Sequence, residues 1–233
     1  MKRIILTGAS SGIGLETAKL LARPGHELVL VSRHQQSLLE LMEQCLEAGA
    51  RAHAVACDVT NPNDCEALVA DTRRLGGTME PVLVNVAGFA EFGDFATMPF
   101  SSIESQIATN LVGPLRLCHA MVPWMLEAGC GQIVNVLSIA ATHTFPGSAG
   151  YSASKAGLLM AGRSLAAEVR RHGIRVTAIL PGATDTPLWG DGGPERADML
   201  PATAVAEAIA GVIDLPADRC VDELVLMLPK GIL

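Results

Sequence analysis

The sequence predicts one doubly wound α/β domain over residues 1–233, with a parallel sheet of about seven strands and helices on both faces. Short runs rich in leucine and β-branched residues recur along the chain. They are nearly continuous in apolar residues, which is typical of parallel strands buried on both sides. Segments with helical spacing lie between most of these runs, so that strand and helix alternate. The length suits a single substantial core, and no internal repeat or low-complexity linker divides it.

Individual runs predict the strands, and characteristic end residues predict two of the helices. Gly49 closes the helix after the second strand, and Asn61 opens the helix after the third as a cap. The segment 151–172 is small or apolar almost all the way round, which predicts a helix buried on two sides. Residues 184–201 are rich in glycine and proline and form a candidate substrate lid. In chain order, the predicted strands are RIILT, ELVLVS, AHAVAC, PVLVNVAG, GQIVNVLS, IRVTAIL and DELVLML.

Composition restricts the partners of the chain. The net charge of −7 and the lack of any block of lysines or arginines argue against nucleic acid and anionic membranes as partners. Apolar residues make up 49% of the chain and charged residues only 18%, which leaves little charge to solvate the whole exterior. We therefore expect a homodimer or homotetramer, packed through the helices in 100–128 and 151–172 and through the final strand.

The cysteines and the first residues indicate the compartment. Six cysteines without a CxxC pair, scattered through segments of regular structure, are typical of reduced structural thiols. The first apolar run is too short for a signal peptide, and no segment approaches the roughly 20 apolar residues of a membrane span. We expect a cytoplasmic protein. The histidines show no ligand spacing with cysteines or carboxylates, so no metal site is predicted, and His143 is expected to line the pocket or to be exposed.

A glycine-rich turn joins the first strand to the first helix. The stretch ILTGASSGIGLETA has a GxxxGxG spacing, instead of the GxGxxG of the usual dinucleotide fingerprint. Its glycines permit a tight turn, a close approach of the backbone to a pyrophosphate, and close packing of helix on strand. The alternative is a glycine-rich turn without a ligand. The residues of this turn that we expect to contact a cofactor are Gly8, Ser10, Ser11, Gly12, Ile13 and Gly14.

The ends of the second and third strands refine the cofactor. In an NAD site an acidic side chain after the second strand binds the ribose 2′-hydroxyl, but here the strand ends in Ser32 and Arg33. An arginine at this point accommodates a 2′-phosphate, so NADP is favoured over NAD, unless Arg33 is only a solvated residue at the start of a helix. The third strand is followed by Asp58 and Val59. These residues either clamp an adenine, with the carboxylate on its amino group and the valine on its ring, or precede a helix cap.

The only tyrosine of the chain, Tyr151, stands in YSASKAG, four residues before Lys155. On a helix the two side chains would lie on the same face. An ammonium next to a phenol lowers the pKa of the phenol from about 10, which prepares a proton donor and acceptor. Ser138 lies at the end of the fifth strand, where open α/β sheets place their ligands, and Asn110 lies on the helix before that strand.

With this ordered set, together with TGxxxGxG and NVAG, the chain resembles the classical branch of the short-chain dehydrogenase/reductase family over nearly its whole length. The resemblance implies a Rossmann-type fold. It also implies that Tyr151 is the general acid in carbonyl reduction and the general base in alcohol oxidation. Lys155 would lower the pKa of the phenol and hold the nicotinamide ribose, and Ser138 would hydrogen-bond the substrate oxygen. Asn110 would hold a water that connects Lys155 to solvent.

The same resemblance extends the cofactor site, which would take NADP, with NAD the lesser alternative. NVAG would place Asn85, Ala87 and Gly88 against the cofactor, although the family commonly has a second asparagine where this chain has Val86. LPGATDTP, after the sixth strand, matches the proline–glycine turn of the family beside the nicotinamide. The residues expected there are Pro181, Gly182, Thr184 and Thr186, in addition to Tyr151 and Lys155.

The predicted function is an NADP-dependent oxidoreductase that interconverts a small or medium carbonyl compound and its alcohol. The loops that would wall the substrate pocket are short, and no positively charged side chain is obviously directed into it. One alternative is a non-catalytic NADP-binding sensor or scaffold. Another is an epimerase or dehydratase, which generally has a larger C-terminal substrate region than this chain. The candidate lining residues are Phe89, Phe92, Phe145, Leu188 and Trp189.

Overall fold

The computed structural model describes residues 1–190 and 193–231, and it confirms the predicted parallel sheet. The strands are β1 (Lys2–Thr7), β2 (His26–Ser32), β3 (Arg51–Ala56), β4 (Glu80–Asn85), β5 (Gly131–Val136), β6 (Ile174–Pro181), β7 (Thr184–Asp185), β8 (Leu200–Pro201) and β9 (Glu223–Leu226). Within the described ranges, seven of them form one sheet in the order β3-β2-β1-β4-β5-β6-β9, and every neighbouring pair in it is parallel.

Helices connect the strands, and the two predicted helix ends are confirmed. The side chain of Asn61 accepts a hydrogen bond from the backbone N–H of Asn63, and Pro62 takes the first helical position, where a missing N–H is harmless. Gly49 follows the second helix with a φ of +89°. The helices are α1 (Gly12–Leu21), α2 (Leu39–Glu47), α3 (Pro62–Arg74), α4 (Phe100–Ile107), α5 (Gly113–Ala128), α6 (Ala149–Val169) and α7 (Ala202–Ile213), with a π-helical turn, Ala108–Val112, between α4 and α5.

Both faces of the sheet are buried, because the strands carry apolar side chains at odd and even positions alike. In β1, Ile4 and Leu6 pack toward α1, α2 and α7, whereas Ile5 between them packs toward α3, α5 and α6. All three side chains are fully buried. The near-continuous apolar runs of the sequence are therefore the mark of a sheet covered on both sides.

The strand order places a crevice at the carboxyl edge of the sheet. The chain proceeds from β1 outward to β3 and then returns to β4, on the other side of β1. At this reversal the connections that follow β1 and β4 leave in opposite directions, which opens a cleft between them. Most of the predicted cofactor and substrate residues lie at this edge, at the ends of β1 to β6 or in the loops and helices that follow them.

The candidate lid, 184–201, folds back on itself beside the crevice. β7 at its start pairs with β8 at its end, and the indole N–H of Trp189 donates to the carbonyl of Thr184 at 2.9 Å. The lid includes residues 191–192, which lie outside the described residues. None of the described helices combines the length and the apolarity needed to cross a bilayer.

The opposite, amino edge of the sheet holds a buried ionic cluster. Arg3 on β1 and Glu27 on β2 are both buried, with 2.6 Å between Nε and Oε2. His53 and Arg51 on β3 approach the other oxygen of Glu27 at 3.2 and 3.5 Å. Burial opposes ionisation of the carboxyl group, but the hydrogen bonds from Arg3 and His53 outweigh it and lower the pKa of Glu27.

We expect Glu27→Gln to lower the free energy of unfolding by about 3 kcal/mol, because the change leaves the buried guanidinium of Arg3 without its counter-charge. Urea denaturation at pH 7 measures this loss. Asp71→Asn is the matched control. It removes a carboxylate from an exposed ion pair with Arg74, and such pairs contribute only about 0–1 kcal/mol. Equal losses in the two variants would contradict a stabilising role for the cluster.

The same cluster sets a pH dependence. Because the pKa of Glu27 is lowered in the folded protein, its stabilisation is complete above the unfolded value of 4.5 and is lost as pH falls through the folded value. The difference in unfolding free energy between the wild type and Glu27→Gln should therefore narrow between pH 7 and pH 3. A constant difference over this range would contradict the assignment.

Candidate active site

A crevice runs along the carboxyl edge of the sheet and is made of two adjoining cavities. One has a volume of about 530 Å³ and lies over the ends of β5 and β6. The other, about 520 Å³, lies over the glycine turn and the ends of β2 and β3. The two cavities share the lining residues Ile13, Val86, Gly88, Thr186 and Leu188, so that they form one continuous site.

The glycine turn builds the floor of the second cavity. Gly8 has a φ of +69°, and a Cβ on it would lie 2.8 Å from the backbone nitrogen of Ala87. The turn after β1 and the loop after β4 therefore touch backbone to backbone, which only glycine permits. Gly12 begins α1, so that the positive end of the helix dipole faces the cavity. Ser10, Ser11 and Ile13 line the same cavity.

Thr7 holds the glycine turn against the loop after β4, a role that was not predicted from the sequence. Its hydroxyl oxygen accepts hydrogen bonds from the backbone N–H groups of Val86 and Ala87, each at 3.1 Å. The side chain at the end of β1 thus holds the loop after β4 in place. The sequence signal that could have indicated this role is the position of Thr7 as the threonine of TGxxxGxG.

The far wall of the second cavity is formed by Ser32, Arg33, Asp58 and Val59, as predicted. Asp58 accepts hydrogen bonds from the backbone N–H and the hydroxyl of Thr60, at 2.9 and 2.8 Å. These bonds lower the pKa of its carboxyl group, burial opposes them, and the nearby charge of Arg33 lowers it further. The cap of α3 is Asn61, and the bonds from Thr60 to Asp58 form a tight turn just before it. Asp58 therefore precedes the cap and also lines the cavity.

Two predicted contact residues, Gly14 and Asn85, do not line either cavity. Gly14 packs against the carbonyl of Gly8, where any Cβ would collide with the backbone. Asn85 lies on the face of the sheet covered by α5, donates to Oδ1 of Asn135 at 2.9 Å and lies 3.7 Å from the sulfur of Cys118. Its Oδ1 is the one buried side-chain polar atom of the described residues without a hydrogen-bond partner. Gly14 and Asn85 therefore pack behind the residues that line the cavities.

The first cavity contains the tyrosine and the lysine. Tyr151, on the first turn of α6, is 8% exposed and lines the cavity, and so do Ser138 and Lys155. The ammonium of Lys155 lies 5.6 Å from the centre of the phenol ring and donates to the carbonyl of Val136 at 3.0 Å. Ser138 lies just beyond β5, where its hydroxyl accepts from the backbone N–H of Ala140 at 3.1 Å. The helical spacing therefore brings the two side chains together as predicted.

The prediction that Lys155 lowers the pKa of the Tyr151 phenol is wrong for the free protein. Burial raises the pKa of Tyr151 to about 12, and a hydrogen bond with the side chain of Ser138 opposes this rise. Burial also lowers the pKa of Lys155 to about 8. Spacing alone indicates that a cation is near a phenol, but it does not indicate that both groups lie in a dry interior. At neutral pH the tyrosine is therefore neutral, and the lysine is mostly charged.

Asn110 lies behind the wall, in the π-helical turn between α4 and α5, and is fully buried. Its side-chain oxygen accepts from the N–H of Phe89 at 3.0 Å, and its nitrogen donates to the carbonyl of Phe89 at 2.8 Å. The same nitrogen donates to Ser154 at 3.2 Å, and Ser154 donates to the carbonyl of Tyr151 at 2.6 Å. Asn110 thus links the loop after β4 to the helix of the tyrosine, and the contribution of Ser154 was missed.

The remaining wall of the first cavity is apolar and follows the predictions. The turn after β6 contributes Pro181, Gly182, Thr184 and Thr186. Phe89, Phe92, Phe145, Leu188 and Trp189 all line the cavity. His143 is exposed, does not line the cavity, and bonds to the hydroxyl of Thr142 at 3.0 Å. Over 1–190 and 193–231, no three His, Cys, Asp or Glu side chains come together as a metal site.

Comparison with known proteins agrees with this geometry. The family model described as short chain dehydrogenase matches residues 2–197. The chain is a member of the short-chain dehydrogenase family.

Individual relatives of this short-chain dehydrogenase cover almost the whole chain. An uncharacterized oxidoreductase of Staphylococcus haemolyticus is 36% identical and covers 94% of both chains. A ketoacyl reductase of Nostoc is 34% identical over 91% of this chain and 75% of its own. The solved structure of an alcohol dehydrogenase from Thermococcus sibiricus, complexed with 5-hydroxy-NADP, is 28% identical, with a TM-score of 0.89 over 97% of this chain and 96% of that one. Like its relatives, the dehydrogenase is an oxidoreductase with the fold of a nicotinamide-dependent enzyme.

For this dehydrogenase we expect Gly8→Ala to lower the free energy of unfolding by about 3 kcal/mol, because the methyl group meets the backbone of Ala87 and the residue keeps a positive φ. Gly129→Ala is the matched control, with a φ of +66° and open space around the added methyl group. It should lower stability by only about 1 kcal/mol. Denaturant unfolding measures both variants, and equal losses would contradict the close approach of the two loops.

Proposed function

We propose that this chain is an NADP-dependent oxidoreductase that interconverts a small or medium carbonyl compound and its alcohol by hydride transfer. The observation that carries the proposal is the convergence of Ser138, Tyr151 and Lys155 on one cavity that is continuous with the glycine cradle. The 5-hydroxy-NADP complexed with the solved alcohol dehydrogenase and the name of the ketoacyl reductase relative support the same chemistry.

The second cavity fits a dinucleotide. Gly8 lets the turn after β1 lie against the loop after β4 and so shapes the cavity floor, and the start of α1 offers a positive helix end to a pyrophosphate. Arg33 is exposed on the wall and suits a 2′-phosphate, while Asp58 and Val59 suit an adenine. When bound, the nicotinamide would supply a hydride to a carbonyl carbon or accept one from an alcohol.

The residues of the first cavity would then handle the proton. As a carbonyl is reduced, its oxygen gains negative charge and takes the proton of the Tyr151 hydroxyl. The hydroxyl of Ser138 orients that oxygen by a hydrogen bond. The ammonium of Lys155 stabilises the phenolate that remains, and its bond to the carbonyl of Val136 fixes its position. In oxidation the phenolate takes the proton back. We assign Asn110 the relay to solvent through a bound water.

The proposal extends to the assembly and to the lid. The face of α6 directed away from the sheet is exposed and carries Ala153, Ala156 and Met160. Val225, on the terminal strand β9, is exposed as well. Apolar surface of this kind supports a homodimer or homotetramer through α4–α6 and β9. Free thiols at buried positions suit a cytoplasmic location, and 184–201 would cover the bound substrate.

We expect Tyr151→Phe to reduce kcat/KM for carbonyl reduction by about 100-fold or more, because it removes the proton donor but keeps the ring packed against Phe92. NADPH consumption with a panel of aldehydes and ketones measures the loss, and NADPH fluorescence titration should give an unchanged Kd. Equal activity in both proteins would overturn the role of Tyr151. Tight NADPH binding without turnover by either protein would favour the sensor or scaffold.

We expect Arg33→Ala to weaken NADPH binding by about 10- to 100-fold and NADH binding much less, because a charge-assisted bond to the 2′-phosphate is lost. Titration of both cofactors measures the difference. Arg74→Ala, at an exposed arginine that lines neither cavity, is the matched control. A matched loss for NADPH and NADH would remove the argument for NADP.

A further inference from the structure

Aromatic side chains are concentrated in the first cavity. The chain has only eight, five Phe, two Trp and one Tyr. Among the described residues, the fully buried core contains neither Phe nor Trp. The aromatic residues are therefore not used to fill the interior. Five of the eight line the first cavity, namely Phe89, Phe92, Phe145, Tyr151 and Trp189.

Three of these rings form one connected wall. Phe92 stacks on Trp189 with 5.5 Å between the ring centres and 15° between the planes. Phe92 also meets Tyr151 edge to face, at 5.9 Å and 65°. The indole N–H of Trp189 is already bonded to the carbonyl of Thr184, so the indole presents no unsatisfied polar group. Phe92 therefore connects the phenol to a fixed aromatic surface.

This wall is left open to solvent. The side chain of Phe92 is 44% exposed although it lies against the tyrosine at the centre of the site. A large apolar surface at the mouth of a cavity is favourable only when something covers it. A ring that stacks on Phe92 would cover this surface and would lie within reach of the hydroxyl groups of Tyr151 and Ser138.

The cavity offers little to a charged ligand. Among its described lining residues, the charged side chains are Lys155 and Asp198. Lys155 donates to the carbonyl of Val136, and Asp198 is paired with Lys230. No arginine lines the cavity within 1–190 and 193–231. Apart from Lys155, whose ammonium is held by the carbonyl of Val136, a carboxylate or phosphate group would therefore meet no cation among the described lining residues, whereas a neutral substrate needs none.

We propose that the substrate is a neutral aryl ketone, or the corresponding secondary alcohol, whose ring packs on the wall of Phe92 and Trp189. This inference rests on the proposed function and specifies its substrate class. In an aryl ketone the carbonyl group is attached directly to the ring, and in the cavity Tyr151 lies next to Phe92, with 5.9 Å between the ring centres. A saturated ring of the same size buries the same area but lacks the aromatic stacking, which accounts for up to about tenfold in affinity.

The test compares acetophenone with cyclohexyl methyl ketone, which differ in aromaticity and little in size. In a Trp124→Phe background Trp189 is the remaining tryptophan, and quenching of its fluorescence reports binding without turnover. We expect acetophenone to bind about tenfold more tightly than cyclohexyl methyl ketone. Phe92→Leu should abolish this preference. Phe95→Leu, at a ring that is 68% exposed and does not line the cavity, should retain it.

The outcomes separate this inference from the proposed function. Equal affinities for the two ketones, or the same loss of preference in Phe92→Leu and Phe95→Leu, would overturn the substrate class. If both ketones are reduced with NADPH at equal kcat/KM, the substrate class is overturned and the proposed reaction stands. If the binding preference is found but no carbonyl is reduced, the aromatic site stands and the proposed reaction falls. Thermal unfolding of each variant verifies that it is folded.

Discussion

The site depends on a lysine ammonium that is almost fully buried between the sheet and α6. The carbonyl of Val136, at the end of β5, accepts its hydrogen bond, and Tyr151 lies one helical turn before it. A buried charge of this kind is tolerated only where hydrogen-bond acceptors such as this carbonyl replace bulk water. Gly88 is part of the same arrangement, because a Cβ there would come within 2.9 Å of Asn110 and 3.6 Å of the lysine nitrogen. The loop after β4 must therefore pass close to the lysine, so the loop and the side chain of Lys155 cannot move independently.

The two edges of the sheet have different tasks. At the amino edge, Arg3, Glu27 and Lys2 take part in ion pairs that join neighbouring strands of the sheet. At the carboxyl edge, loops carry the groups suited to binding and proton transfer, and the backbones of the turn after β1 and the loop after β4 approach closely. The buried ion pairs and the crevice thereby lie at opposite ends of the same strands, and in open α/β sheets ligands bind at the carboxyl ends. The carboxyl edge also contributes to stability, because the close approach of Gly8 to Ala87 holds two of its loops together.

Much of the crevice could be predicted because the carboxyl ends of parallel strands always meet at one edge. This rule placed Arg33, Asp58 and Ser138 correctly from their positions after apolar runs. It failed for Asn85, because the last residue of a strand faces either the cleft or a layer of helices, and the pleat of β4 turns it toward α5. It could not give the pKa of Tyr151 either. That value depends on how completely α6 and the aromatic wall exclude water, which is a property of the packed fold and not of residue spacing.

Aliphatic side chains fill the core, whereas aromatic side chains line the cavity, and this separation explains how the site is built on a stable fold. The core consists of aliphatic residues with a few thiols and methionines, which pack tightly in well-defined rotamers. The rings of Phe92 and Trp189 lie outside it, on loops that follow β4 and β6. Because these rings bury little of the core, exchanging one for another side chain alters the shape of the cavity without opening a void in the interior. The aromatic wall can therefore be altered by substitution, while Tyr151 and Lys155, whose side chains are buried beside the sheet, keep their positions.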